Sequence, residues 1–185
     1  MQGGRRLKHE LSAFYRGFTL GDGSCFFHSL AQILGLNGYE GKDWESRRVI
    51  GHSFRQDILN SKQSYTSWLR RKGFEGVPGI LTYDQAKDSE TYAEECLINY
   101  TASRLNLTLV LVRNRNQAFI RYGKSKQAPV AMLAWIDDCH FEPILRCEVP
   151  AKAPTYVLPT CALYNYTTKH LIDPADPLFE SMTLL

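Results

Sequence analysis

Gly21-Asp22-Gly23-Ser24-Cys25-Phe26-Phe27-His28-Ser29-Leu30 sets a cysteine where a glycine-rich loop turns into a helix. From Cys25 onward, Phe26, Leu30, Ile33 and Leu34 fall on a stripe of helical period. Ser24 is placed to cap that helix by accepting a first-turn N–H, and Gly35 to end it. Gly21 and Gly23 open backbone conformations closed to residues with a β-carbon. Such a loop can aim N–H groups at a developing oxyanion, as acyl transfer requires. A helix N-terminus also lowers a thiol's pKa, which predicts that Cys25 is the most reactive thiol of the chain.

Far downstream stands Cys139-His140-Phe141-Glu142-Pro143-Ile144-Leu145, a short apolar segment carrying an imidazole. Alternation on a strand puts Glu142 on the same face as His140. A thiol, an imidazole and an orienting carboxylate are the parts of an activated nucleophile. His28 is the rival base, but one turn along the helix from Cys25 it sits behind the thiol. A zinc set of Cys25, His28, Cys139 and His140 is disfavoured, because adjacent strand residues point to opposite faces.

Read together, the two stretches resemble the cysteine and histidine motifs of ovarian-tumour (OTU) domain deubiquitinases. The family's loop motif reads Gly-Asp-Gly-Asn/Ser-Cys, two bulky apolar residues, then Arg or His. A histidine followed by Phe and an acid is most similar to viral members. The family usually has Asp or Asn where this chain has Glu142. The motifs bracket residues 21–145, most of the chain.

The resemblance implies a papain-like α+β fold, with a nucleophile helix packed on a small, mostly antiparallel sheet and further helices around it. It implies Cys25 as nucleophile, His140 as base and Glu142 as orienter. Asp22 contributes to the oxyanion hole through loop backbone N–H groups, with those of Gly23 and Cys25; an Asx turn that only shapes the loop is the plainer reading of Asp22. Trp135, Asp137, Asp138 and Phe141 are candidate contacts for a basic, apolar substrate tail, against an ordinary core Trp and turn aspartates. The implied substrate is ubiquitin or a ubiquitin-like protein, with a viral polyprotein as the alternative and an inactive ubiquitin-binding module as the non-enzymatic one. No metal or organic cofactor is required.

The 185 residues suit one domain, 44% hydrophobic and 22% charged, as in ordinary globular proteins. A net charge of +3 without a basic stripe gives no argument for nucleic acid. The five cysteines are odd in number and form no Cys-x-x-Cys pair, so reduced thiols in a cytoplasmic setting are expected, the host cytoplasm if the protein is viral; the protein is expected to be monomeric. The first twenty residues are polar and basic, and the longest apolar runs are far too short for a membrane span.

Along the chain, Asp43 caps a predicted helix to about Asn60, with Ile50, Phe54 and Ile58 inward. A second helix covers Ser64–Lys72, closed by Gly73. A third runs from a Ser89 cap to about Leu105, with Ala93, Leu97 and Tyr100 buried. Strands follow at 107–112, 118–122, 130–136 and 139–145. Helices first and strands after give α+β. Residues 1–147 form the catalytic domain. Residues 148–185, broken by prolines, form an extension that hugs the core through Tyr156, Val157, Tyr164 and Tyr166.

Overall fold

Among the residues that a computed structural model describes (14–113, 119–123, 127–146, 171, 172 and 174), the α+β fold has five α-helices, a short 3-10 turn at Leu36–Gly41 and five strands. The helices are α1 (Cys25–Ile33), α2 (Trp44–Ile58), α3 (Lys62–Lys72), α4 (Tyr83–Lys87) and α5 (Glu95–Leu105). The strands are β1 (Phe14–Arg16), β2 (Thr108–Arg113), β3 (Phe119–Tyr122), β4 (Val130–Ile136) and β5 (His140–Arg146). None of these helices is long and apolar enough to cross a membrane.

One sheet runs in the order β1-β5-β4-β2-β3. All neighbours are antiparallel except β2 and β4, which pair in parallel. Alternation explains which side chains meet the helices. Leu109, Leu111, Ala131, Leu133, Phe141 and Leu145 join the main core with α1, while Val110, Val130 and Met132 face the other side. There they are covered by Ile172, which bridges Val130 with two backbone hydrogen bonds of 2.9 and 2.8 Å. Both faces of the central strands are therefore buried, which is why 130–134 reads as an unbroken apolar run.

Helix ends follow local chemistry. Asp43 accepts the Ser46 N–H at 2.8 Å and starts α2, and Gly73, at φ 74°, closes α3 in the left-handed conformation that favours glycine. Phe54 and Ile58 are buried on α2 and Ile50 is half-buried.

Two expected helix starts differ. Ser89 begins no helix. The Asp88 carboxylate instead accepts the Glu90 N–H at 3.2 Å and the Thr91 hydroxyl at 2.9 Å, closing a local turn. Helix α5 starts at Glu94, whose carboxylate accepts the N–H groups of Cys96 and Leu97. Ser24 stands at the cap position of α1 without capping it, because its hydroxyl donates to the Ser89 carbonyl at 3.0 Å. Strand β1 lay in the unassigned lead-in of the sequence. Residues 114–118 and the tail residues Tyr156, Val157, Tyr164 and Tyr166 lie outside the described residues.

Candidate active site

The nucleophile loop is held from three directions. Asp22 forms the Asx turn, its Oδ1 accepting the Ser24 N–H at 2.9 Å. Gly23 lies flat against the Glu90 backbone, where a β-carbon would come within 2.1 Å of the Glu90 carbonyl carbon. Arg55, from α2, reaches up from below. Its Nε donates to the Ala86 carbonyl at 2.8 Å, and one terminal nitrogen donates to the Gly23 carbonyl at 3.1 Å and the Ser24 hydroxyl at 3.2 Å. The guanidinium also lies 5.1 Å from the Phe27 ring centroid. Arg55 is fully buried, and burial lowers its pKa to about 10. Sequence inspection gave no hint of it, since it reads as one more charge on an amphipathic helix.

Cys25 opens α1 and is 1% exposed. The helix N-terminus meets the edge of β5 just where β1 has ended. The Phe141 carbonyl accepts the Ser29 hydroxyl at 3.0 Å and the Thr19 hydroxyl at 2.7 Å, while the Phe141 N–H approaches the Cys25 sulfur. The thiol thus lies one residue from His140. Among the described residues no hydrogen bond joins the two side chains; catalytic hydrogen bonds often form only when substrate binds.

One expectation about Cys25 is corrected, and a second meets a competing bond. Burial pushes its thiol up to about 11, outweighing the helix N-terminus and the N–H groups of Phe141 and Phe26. The Cys25 N–H, expected in the oxyanion hole, donates to the Asp22 carbonyl at 3.1 Å. A raised acid pKa leaves the neutral thiol dominant at pH 7, so Cys25 is not a preformed thiolate. Iodoacetamide should therefore label exposed Cys139 before Cys25 in the free protein. Cys25 alkylation should keep climbing, roughly tenfold per pH unit, up to about pH 10, just below its raised pKa. A plateau near neutrality in peptide-mapped rates would instead reveal a Cys25–His140 ion pair.

His140 and Glu142 share a face, as alternation predicts. Nε2 of His140 lies 3.6 Å from Oε1 of Glu142, just beyond hydrogen-bond range. This leaves Nδ1 for the thiol. The other Glu142 oxygen meets Nε of Arg16 at 2.6 Å. Arg16 sits opposite Ile144 in the β1–β5 pairing, one same-face step from Glu142. Glu142 is 7% exposed, so it is a nearly buried carboxylate between one fixed cation and one imidazole. Glu142→Gln keeps the shape and removes the charge that would stabilise an imidazolium. It should slow kcat roughly tenfold, about 1.4 kcal/mol, with little change in KM. Steady-state kinetics with unchanged kcat would take the orienting role away from Glu142.

The candidate substrate contacts divide. Phe141 is 2% exposed and packs edge-on to Phe26 at 5.5 Å, so it belongs to the core and lines no groove. This is the consequence of the same alternation that pairs 140 with 142. Trp135 stacks on Phe141 and is half-buried, with the Arg113 guanidinium 4.6 Å from its ring centroid. Arg113 in turn bonds Asp138 at 2.7 Å. Asp137 and Asp138 are exposed in the β4–β5 turn, at φ 49° and 60°.

The chain matches no protein-family model and no curated protein. Solved structures do resemble it. The Hazara virus OTU bound to ubiquitin superposes with a TM-score of 0.52 at 20% identity, over 76% of this chain and 86% of that one. An ovarian tumor (OTU) domain in complex with ubiquitin gives 0.53 at 12% identity, over 92% and 84%. With a helix-borne cysteine set against the edge of a histidine-bearing strand, and with these structures superposing over most of its length, the chain has the fold of OTU domains.

Proposed function

We propose that the chain is a cysteine isopeptidase that removes ubiquitin, or a ubiquitin-like protein, from its conjugates. The observation that carries this reading is the seating of the Cys25 thiol against the Phe141 N–H, on the strand whose opposite face carries the His140–Glu142 pair. Cys25 attacks the glycine carbonyl carbon of the isopeptide bond. His140 takes the thiol proton as the carbon–sulfur bond forms, since a buried thiol with a raised pKa does not ionise beforehand. His140 then gives that proton to the departing lysine amine. Water hydrolyses the thioester, with His140 again as base.

The tetrahedral oxyanion requires N–H donors from the loop. Substrate has to draw the Cys25 N–H off the Asp22 carbonyl to use it, so binding and assembly of the hole are one event. Asp137 and Asp138, exposed beside His140, give a basic substrate tail an acidic approach. That these two OTU structures are complexes with ubiquitin supports the choice of substrate.

Incubation with a panel of isopeptide-linked di-ubiquitins tests the proposal. At least one linkage should be cut to mono-ubiquitin. Ubiquitin binding without cleavage of any linkage would make the chain a binding module.

A further inference from the structure

Behind the nucleophile loop, three side chains from three segments bring donor atoms to one point. Asp22 offers Oδ2 from the loop, His28 offers Nε2 from α1, and His52 offers Nε2 from α2. All three atoms lie within 4.8 Å of one another. We propose that Asp22, His28 and His52 form a binding site for a divalent transition-metal ion, with Zn²⁺ as the best match.

The donor chemistry selects the ion. Two imidazoles and one carboxylate suit zinc, whereas calcium and magnesium want oxygen ligands. The spacing agrees. A tetrahedral centre with bonds of about 2.0–2.1 Å holds its ligand atoms about 3.3–3.4 Å apart. Asp22 Oδ2 stands 3.2 Å from His28 Nε2 and 3.3 Å from His52 Nε2.

Outer partners aim the ligands. His28 Nδ1 is bonded to the Tyr39 hydroxyl at 3.0 Å, and Asp22 Oδ1 holds the Ser24 N–H at 2.9 Å. Each of these bonds fixes an orientation and turns the other atom toward the common point, the arrangement that metal-bound histidines and carboxylates show. His28 is fully buried, so its ring is held in one place by its surroundings.

The scaffold is built for the close approach. A β-carbon at Gly51 would lie 2.1 Å from His28 Nδ1, so glycine is what lets α2 close over that ring. The mouth is open, because the side chains of His52 and Asp22 keep 27% and 17% exposure. Solvent can reach the fourth position there. The positive field of Arg48 opposes a cation only weakly, since Arg48 is half-exposed and pairs with Glu45 at 3.5 Å.

The competing account is a plain hydrogen-bonded cluster, two neutral imidazoles sharing one carboxylate oxygen. Metal titration separates the two without reference to catalysis. The full chain carrying Cys25→Ser, which removes the thiol nearest the loop, is titrated with Zn²⁺ by calorimetry and with Co²⁺ by absorption. The expected result is one ion bound at micromolar affinity or tighter, with tetrahedral Co²⁺ bands and no sulfur-to-metal charge transfer.

His52→Ala, at a partly exposed helix position, should keep the fold by circular dichroism and weaken binding at least about tenfold. Tyr39→Phe removes only the outer hydroxyl and should weaken it about tenfold. No binding by the Cys25→Ser chain, a sulfur charge-transfer band, or equal affinity after His52→Ala would each overturn the proposal.

Discussion

Cys25→Ala is expected to cut di-ubiquitin hydrolysis by on the order of 10⁴-fold or more while leaving a folded chain. Without the sulfur no thioester forms, and only binding and oxyanion stabilisation remain. The fold should barely notice. One buried atom is lost at the first turn of a helix whose anchoring comes from Phe26, Phe27 and Leu30, so the cost is about 1 kcal/mol. His140→Ala should fall nearly as far. Nucleophile and base act as a unit, so the double variant should be no slower than Cys25→Ala alone. A single variant at the wild-type rate would remove the residue from the chemistry.

The second large effect is expected at a residue that touches no substrate. Arg55→Ala takes the donors from two buried carbonyls, Gly23 and Ala86, and from the Ser24 hydroxyl. Leaving buried acceptors without partners costs about 1–3 kcal/mol each. Against this stands the cost of burying the guanidinium, visible in its lowered pKa. Alanine also leaves a cavity in the core, so the losses win, by about 3 kcal/mol. A thermal midpoint lower by roughly 6–12 °C is the expected reading for a chain of this size. Arg55→Lys should not restore it, since one ammonium cannot replace a planar fork that spans Ala86 and Gly23. An Arg55→Ala midpoint within a degree or two of wild type would mean that the loop holds itself.

Why Arg55 escaped the sequence reading, and Cys25 did not, is a matter of range. The helix at Cys25, the cap at Asp43 and the strand at 130–136 rest on neighbours in sequence, and periodicity and capping report on neighbours. The His140–Glu142 pair is likewise two residues on one strand. Arg55 meets Gly23, 32 residues away, and Ala86, 31 away, so no local pattern marks it. Arg16 and Glu142 meet only because β1 pairs with β5 from the opposite end of the domain. The Ser89 error has the same origin. Its residue type fits a cap, but its carbonyl is committed to Ser24, 65 residues earlier.

Burial is the other quantity that local pattern leaves open. A helix N-terminus by itself suggests a stabilised thiolate at Cys25. How deeply α1 sinks against β5 decides the opposite sign for the free protein. Phe141 was assigned to a groove by its closeness to His140, yet strand alternation sends it into the core beside Phe26.

The central claim is that Cys25 is the nucleophile of a ubiquitin-directed isopeptidase. Ubiquitin carrying a C-terminal electrophile, incubated with the wild-type chain and read by intact mass and peptide mapping, tests it most directly. One adduct per chain, mapped to Cys25 and lost in Cys25→Ala and His140→Ala, is the predicted result. No adduct, or an adduct on exposed Cys139 that persists in His140→Ala, would contradict it.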